Sequence, residues 1–240
     1  MPSTGKVLGR AQDTQAFSTK GVNYTLTTRL EVLRAKGGGG ALKSAHWVEA
    51  RFSLKKVHQT KGTNVGHAYG YKVDKTLHDS VGPVWLTEIL ATDDVFLSEP
   101  STILSELYDQ RGSVRHPYTV WASDLRGDSI LFIDTIMVDD GMRGTGLAQA
   151  AMQMFHRLLP LISNDMGYAG TIVLSPAASA DYKGTSTKSA AEVEGRLIGS
   201  YSKVGYELWV KGDEDKEDSV TIMGLVIAAD DLDTEGGEMI

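Results

Sequence analysis

Apolar and polar positions along this chain follow two regimes. In the first third, residues 23–35 (NYTLTTRLEVLRA), 46–57 (HWVEARFSLKKV) and 64–73 (NVGHAYGYKV) are rich in β-branched and aromatic side chains with partial alternation, which predicts three strands. Residues 83–90 (PVWLTEIL) then read as helical. So do residues 98–112, where Pro100 stands near the start, Ser101 offers a cap, and Ile103, Leu104 and Leu107 form an apolar stripe. From residue 129 onward the two periods alternate. A strand over 129–138 precedes a helix over 144–159 that Pro160 ends. A strand over 170–175 precedes a helix over 189–203 that stops at Gly205, and two strands in YELWV and SVTIMGLVI close the chain. Strand, helix, strand, helix with short links predicts parallel pairing at the centre of a mixed α/β sheet.

This pattern reads as a single domain over residues 1–228. Residues 1–22 are expected to be flexible, 83–115 to be a helical insertion, and 229–240 to be an acidic disordered tail. KGGGG (residues 36–40) reads as a flexible connector or loop, and KGDEDKED (residues 211–218) as an exposed hairpin loop.

Composition narrows the chemistry. The 240 residues are 41% hydrophobic and 23% charged, which is ordinary for a globular chain. With no cysteine, a disulfide framework, a thiol nucleophile and a thiolate metal site are all excluded. The first residues lack the apolar run of a signal peptide and no apolar stretch is long enough to cross a bilayer, so a soluble cytoplasmic protein without a membrane partner is expected. Net charge is -7, concentrated in residues 121–240, and basic residues cluster no further than Lys55-Lys56. That distribution argues against a nucleic-acid partner and suits a cationic substrate. The six histidines (46, 58, 67, 78, 116 and 156) have no i, i+4 pairing, so they read as surface or packing residues rather than metal ligands. Ser175-Pro176 lacks the elbow of a hydrolase nucleophile.

The most informative stretch is VDDGMRGTGLA, residues 138–148, between the strand and the helix. Three glycines in one turn cost backbone entropy, which suggests that something approaches the main chain there. A Walker-type loop needs Lys and Ser or Thr after its last glycine, but Gly146 is followed by Leu147 and Ala148. The dinucleotide fingerprint needs a third glycine where Gln149 stands. What remains is Arg143-Gly144-Thr145-Gly146-Leu147-Ala148 at the start of a helix whose Leu147, Ala151, Met154, Leu158 and Leu161 make one apolar face. Missing side chains let main-chain N–H groups face an anion, and the helix N-terminus adds partial positive charge. The plainer reading is a tight packing turn. Asp139-Asp140 are expected to hold the turn rather than a metal.

This loop resembles the pyrophosphate-binding loop of the GNAT superfamily, the acyl-coenzyme A-dependent N-acyltransferases. LIGSYSKVGYELW (residues 197–209) resembles that family's closing motif, with Tyr201 four residues before Gly205-Tyr206. The resemblance covers about residues 129–227 and implies a GNAT-like α/β fold, a mixed sheet with its helical insertion between the third and fourth predicted strands. It implies acetyl-coenzyme A as co-substrate, no metal, and direct attack by a primary amine of a small molecule or peptide in a ternary complex. Carried onto this sequence, Ile136, Met137 and Val138 would pair with the pantetheine arm. Arg143, Gly144, Thr145, Gly146, Leu147 and Ala148 would hold the diphosphate, and Tyr201 would protonate the leaving thiolate. Asp134 stands where many members carry the carboxylate base, with Glu49 and Glu88 as rivals. Asp134 also reads as a strand-end or loop-capping residue, and Tyr201 as a core residue.

Two departures stand out. The two helices that the family usually places between its first strands are absent here, and Glu194 occupies the position of a frequent asparagine. Family members often dimerise, but no feature of this sequence decides it. A non-catalytic acyl-coenzyme A sensor and a protein lysine or N-terminal acetyltransferase remain open beside the small-molecule enzyme.

Overall fold

A computed structural model describes residues 6–37, 40–92, 97–177, 189–213 and 219–228 of the chain. Its centre is a mixed sheet of eight strands in the order β1-β2-β3-β4-β5-β6-β8-β7. In chain order these are β1 (Val7–Thr19), β2 (Val22–Gly37), β3 (Gly40–Lys56), β4 (Thr63–Asp74), β5 (Ser129–Val138), β6 (Gly170–Leu174), β7 (Glu207–Val210) and β8 (Ile222–Ile227). The helices are α1 (Val84–Leu90), α2 (Ser98–Leu107), the short α3 (Ala122–Leu125), α4 (Leu147–Leu158) and α5 (Ala190–Ser202).

The first four strands form an antiparallel meander. β1 corrects the expectation of a flexible start, because it pairs with β2 from Val7↔Leu33 to Thr19↔Val22. The two-residue turn between them, Lys20-Gly21, has φ of 49° and 72°, the mirror-image geometry that matches strand twist. The strand escaped the sequence pattern because its half-buried positions include Asp13 and Gln15 beside Ala11 and Phe17, the polar dress of an edge strand. β2 and β3 then make one long hairpin, so the connector at residues 36–40 lies at a hairpin tip and its central glycines fall outside the described residues. The tail at 229–240 and residues 214–218 of the 211–218 loop also lie outside them.

Two apolar clusters sandwich the sheet. On one face α4 lays Leu147, Ala151, Met152, Met154, Phe155 and Leu158 against Leu30, Val48, Leu131 and Ile133. Leu161 does not join them: the helix ends at Leu158, and Leu161, in the short turn that carries Pro160, stays 55% exposed. On the other face the insertion between β4 and β5 packs α1 and α2 through Trp85, Leu86, Ile89, Ile103, Leu104 and Leu107 onto Trp47, Tyr71, Ile130 and Phe132. Ser101 is not a cap, since α2 starts at Ser98; its hydroxyl donates to the Ile89 carbonyl at 3.3 Å and ties α2 to α1. Lys75 fastens the insertion to the end of β4. Its ammonium donates to the Leu125 carbonyl at 2.5 Å and to the Tyr108 hydroxyl at 3.2 Å. Among the described residues no helix is long and apolar enough to cross a membrane.

β5 is the exceptional strand. Opposite β4 its register shifts between Tyr69↔Thr135 and Gly70↔Ile133, which leaves Asp134 as an extra, bulged residue. The insertion of one residue switches the alternation, so Leu131 and Ile133 before it and Ile136 and Val138 after it all face the α4 cluster. Gly70 makes the bulge possible: a β-carbon there would lie 1.8 Å from the Phe132 carbonyl oxygen. Gly70→Ala is therefore expected to lower stability by about 1–3 kcal/mol. Gly195→Ala, on the open surface of α5, should raise it by about 0.5–1 kcal/mol. Thermal unfolding of the two variants beside the parent chain checks both directions.

Candidate functional site

β5 pairs in parallel with β6 only from Ile130↔Thr171 to Ile133↔Leu174. Beyond Ile133 the β6-facing edge of residues 134–138 has no strand partner among the described residues, because β6 ends at Leu174. β8 and β7 then continue the sheet on the far side of β6. The strand-helix alternation of the second half thus yields one parallel pair, at the point where the sheet opens.

The glycine turn sits at the end of this open edge. Residues Asp140–Met142 form a single tight turn, and Thr145 folds back so that its hydroxyl donates to the Met142 carbonyl at 2.6 Å. Gly144 and Gly146 follow in the left-handed region, with φ of 72° and 83°, and no atom lies within 4 Å of where a β-carbon would stand on either. Gly146 is also the N-cap of α4, so no side chain caps the first amides of that helix. A helix start bare of side chains, approached through two left-handed glycines, has the donors and the space that a diphosphate needs. Arg143 closes on Asp140 at 2.8 Å, which gives that acidic residue the turn-holding role expected of the pair.

Tyr201 lies near the end of α5. It packs with Ile198, Val204 and Ile136 on the α4-side cluster and meets the Tyr206 ring edge-on at 5.9 Å. Gly205, at φ 98°, ends the helix, and the Tyr206 amide donates back to the Tyr201 carbonyl. Burial first, and then the negative charge of Glu99, push the Tyr201 phenol up to about 12, so it keeps its proton at neutral pH. Tyr206 is engaged elsewhere: its hydroxyl shares a 3.0 Å hydrogen bond with Nε2 of His156.

The carboxylates separate by what holds them. Glu88 accepts from the Lys43 and Ser44 amides and from the Ser44 hydroxyl, so it fastens α1 to β3. Burial raises its pKa, but those bonds outweigh burial and leave it lowered. Glu49 pairs with Arg51 at 2.7 Å. Glu194 binds Lys211 and Thr221 and so ties α5 to the ends of β7 and β8. Asp134 is neither a strand end nor a loop cap: it is the bulged residue, bonded by the Thr135 hydroxyl at 3.0 Å and by Tyr69. Burial raises its pKa despite those two bonds.

The sequence reading passed over Glu99. This residue opens α2 beside Pro100, and burial followed by the negative charge of Asp134 pushes its carboxyl up to about 7. Its one local signal was an acidic residue at a helix start, which reads as a dipole match; only the packing of α2 brings it to β5. Ile136 of the open edge, Leu147 just after the glycine turn and Tyr201 of α5 all join or pack on the α4-side cluster.

No protein-family model matches the chain, and no curated protein matches it either. Among solved structures, arylalkylamine N-acetyltransferase 2 from Aedes aegypti is similar at 17% identity and a TM-score of 0.40, over 73% of each chain. A mosquito arylalkylamine N-acetyltransferase like 5b gives 13% and 0.40 over 75% of this chain and 74% of its own. Nourseothricin acetyltransferase gives 11% and 0.32 over 91% and 99%. Likenesses this distant carry no assignment of substrate or mechanism.

The His156–Tyr206 bond yields a stability test. Burial lowers the His156 pKa from 6.5 to about 4, so the unfolded chain binds the extra proton first. Stability contributed by neutral His156 is complete above pH 6.5 and falls as pH drops toward 4, by up to about 1.4 kcal/mol per pH unit. Urea unfolding between pH 4.5 and 7 should show that slope as the difference between the parent chain and His156→Gln.

Proposed function

We propose that the chain is an N-acetyltransferase that moves the acetyl group of acetyl-coenzyme A to a primary amine of a small molecule or peptide. The observation that carries this reading is the pairing of two features at one end of β5. Among the described residues the strand's β6-facing edge has no strand partner past the end of β6, and the start of α4, without a side-chain cap, follows directly after it. An extended amide-bearing arm would satisfy the main chain of Ile136, Met137 and Val138 as a further strand would. The amides of Gly144, Thr145, Gly146, Leu147 and Ala148 would receive the diphosphate, with Arg143 beside them.

Chemistry then needs three things from the protein. The thioester carbonyl must be held in line with the amine, which positioning along β5 supplies. Its developing oxyanion needs a donor, and a main-chain N–H of the open edge is suited to that. The departing thiolate needs a proton, and Tyr201, protonated at neutral pH, is the acid in this reading. The incoming ammonium must lose a proton to a carboxylate, and Asp134 lies at the bulge where the reacting atoms would meet.

An acceptor screen that reads free coenzyme A thiol tests this. The parent chain should consume at least one class of amine, and Tyr201→Phe should lower kcat by about 10²–10⁴-fold while acetyl-coenzyme A still binds. Arg143→Glu combined with Gly146→Trp should abolish acetyl-coenzyme A binding in calorimetry, because it sets a negative charge and a bulky ring in the turn. Tight binding of acetyl-coenzyme A with no amine ever consumed would make the chain a sensor instead. Thiol release that persists in the double variant would remove the site altogether.

A further inference from the structure

We propose that the turn after α2 forms a second binding site, one that takes the phosphate group of an organic phosphate monoester. The site is separate from the coenzyme site proposed above and does not depend on that reading.

The turn borders a cleft of about 620 Å³ lined by Asp109, Gln110, Arg111, Val114, Arg115 and His116. Two guanidinium groups and an imidazole therefore line one space in a chain whose net charge is -7. A cationic cleft on an acidic protein draws anions to that place. The arginines are also available. Arg29, Arg51, Arg143 and Arg157 are each tied to a carboxylate, whereas among the described residues Arg111 and Arg115 enter no ion pair. Asp109 brings the one carboxylate of the lining, and it serves the turn. Its Oδ1 accepts from the Arg111 amide at 2.8 Å and from the Ser113 amide at 2.9 Å.

The cleft is built on fixed backbone. Tyr108 and Val114 face each other in an isolated antiparallel bridge. The Asp109 amide donates to the Ser113 carbonyl, the Gly112 amide to the Asp109 carbonyl and the Arg115 amide to the Leu107 carbonyl, each at 2.9 Å. Gly112, at φ 72°, lies so near Pro83 that a β-carbon on it would stand 3.0 Å from the proline ring, so the turn is seated on the start of α1. Arg115 is aimed by its own bond: Nε donates to the Tyr108 carbonyl at 2.8 Å, which leaves the two outer nitrogens as donors. Tyr108 is itself buried, and its hydroxyl donates to the Leu125 carbonyl at 2.8 Å. A ligand here has little loop or side chain left to order, which spares it much of the usual entropy cost.

The chemistry of the lining selects the ligand. A planar guanidinium fork matches two oxygens of one oxyanion, and a second guanidinium with an imidazole beside it favours an anion of two charges. A phosphate monoester carries close to two at neutral pH. The space exceeds a bare phosphate ion, and the half-buried Val114 offers apolar contact to an organic body. The glycine turn is elsewhere. Tyr108 reaches Leu125 and Lys75, and the Lys75 amide donates to the Asp128 carbonyl, just before β5 starts. The glycine turn follows the end of that ten-residue strand, which spans roughly 30 Å at about 3.3 Å per residue.

Calorimetric titration of the full chain with phenyl phosphate, inorganic phosphate and benzenesulfonate, at one ionic strength, tests the site. Phenyl phosphate should bind most tightly. Inorganic phosphate lacks the body that meets Val114, and benzenesulfonate has the shape but a single charge, so both should bind more weakly. Arg111→Gln keeps the backbone bonds of the turn and should weaken phenyl phosphate by about 10–100-fold, the loss of one charge-assisted contact. Arg115→Lys should weaken it too although the charge is kept, because an ammonium cannot hold the Tyr108 carbonyl and present a fork at once. The Arg143→Glu, Gly146→Trp double variant should bind phenyl phosphate as the parent does. In NMR spectra of the parent chain the Gly112 and Arg115 amides should shift on adding phenyl phosphate, a readout that needs no variant. Absence of phenyl phosphate binding, equal affinity for either of the other anions, or full affinity in both arginine variants would overturn the assignment. So would amide shifts confined to the glycine turn, or binding lost in the double variant.

Discussion

The arrangement depends on β5 having two unequal neighbours. On one side it pairs with β4 along its whole length; on the other it pairs with β6 for four residues and then loses it. Buried main-chain groups need partners, so a strand deep in a sheet does not end its pairing on one edge without something else to satisfy it. The bulge at Asp134 marks the changeover. It bends the strand and adds one residue, so that the apolar side chains before and after it face the same way. A carboxylate can then sit within an apolar strand without entering the α4 cluster.

The insertion supplies what the bare sheet lacks. Without α1 and α2, Trp47, Tyr71 and Phe132 would be an exposed apolar face. With them the face is covered by the buried side of α2. Lys75, buried between the insertion and the end of β4, anchors the other end of that cover through the Leu125 carbonyl and Tyr108.

Much of this was legible where local physics dominates. The strands at 129–138 and 170–175 and the helices at 144–159 and 189–203 follow from periodicity and breakers, and they stand within a few residues of β5, β6, α4 and α5. The glycine turn was legible because Gly144 and Gly146 take backbone conformations that other residues adopt only with strain. β1 was not, because an edge strand buries so little that its polar alternation resembles a loop. Leu161 was misread as part of the α4 face because periodicity says where a stripe points but not where a helix stops. Glu88 looked chemically available in one dimension, and only folding showed that it fastens α1 to β3.

By itself the sequence determined the mixed α/β class, the turn at residues 138–148 and the tyrosine four residues before Gly205, because each is written in short-range backbone preference. The tertiary structure alone decided where β5 loses β6 as a partner, which residue is the bulge, and which helices cover the strand's other face. Those outcomes depend on strand register and on packing between elements far apart in the chain, and residue spacing carries no record of either.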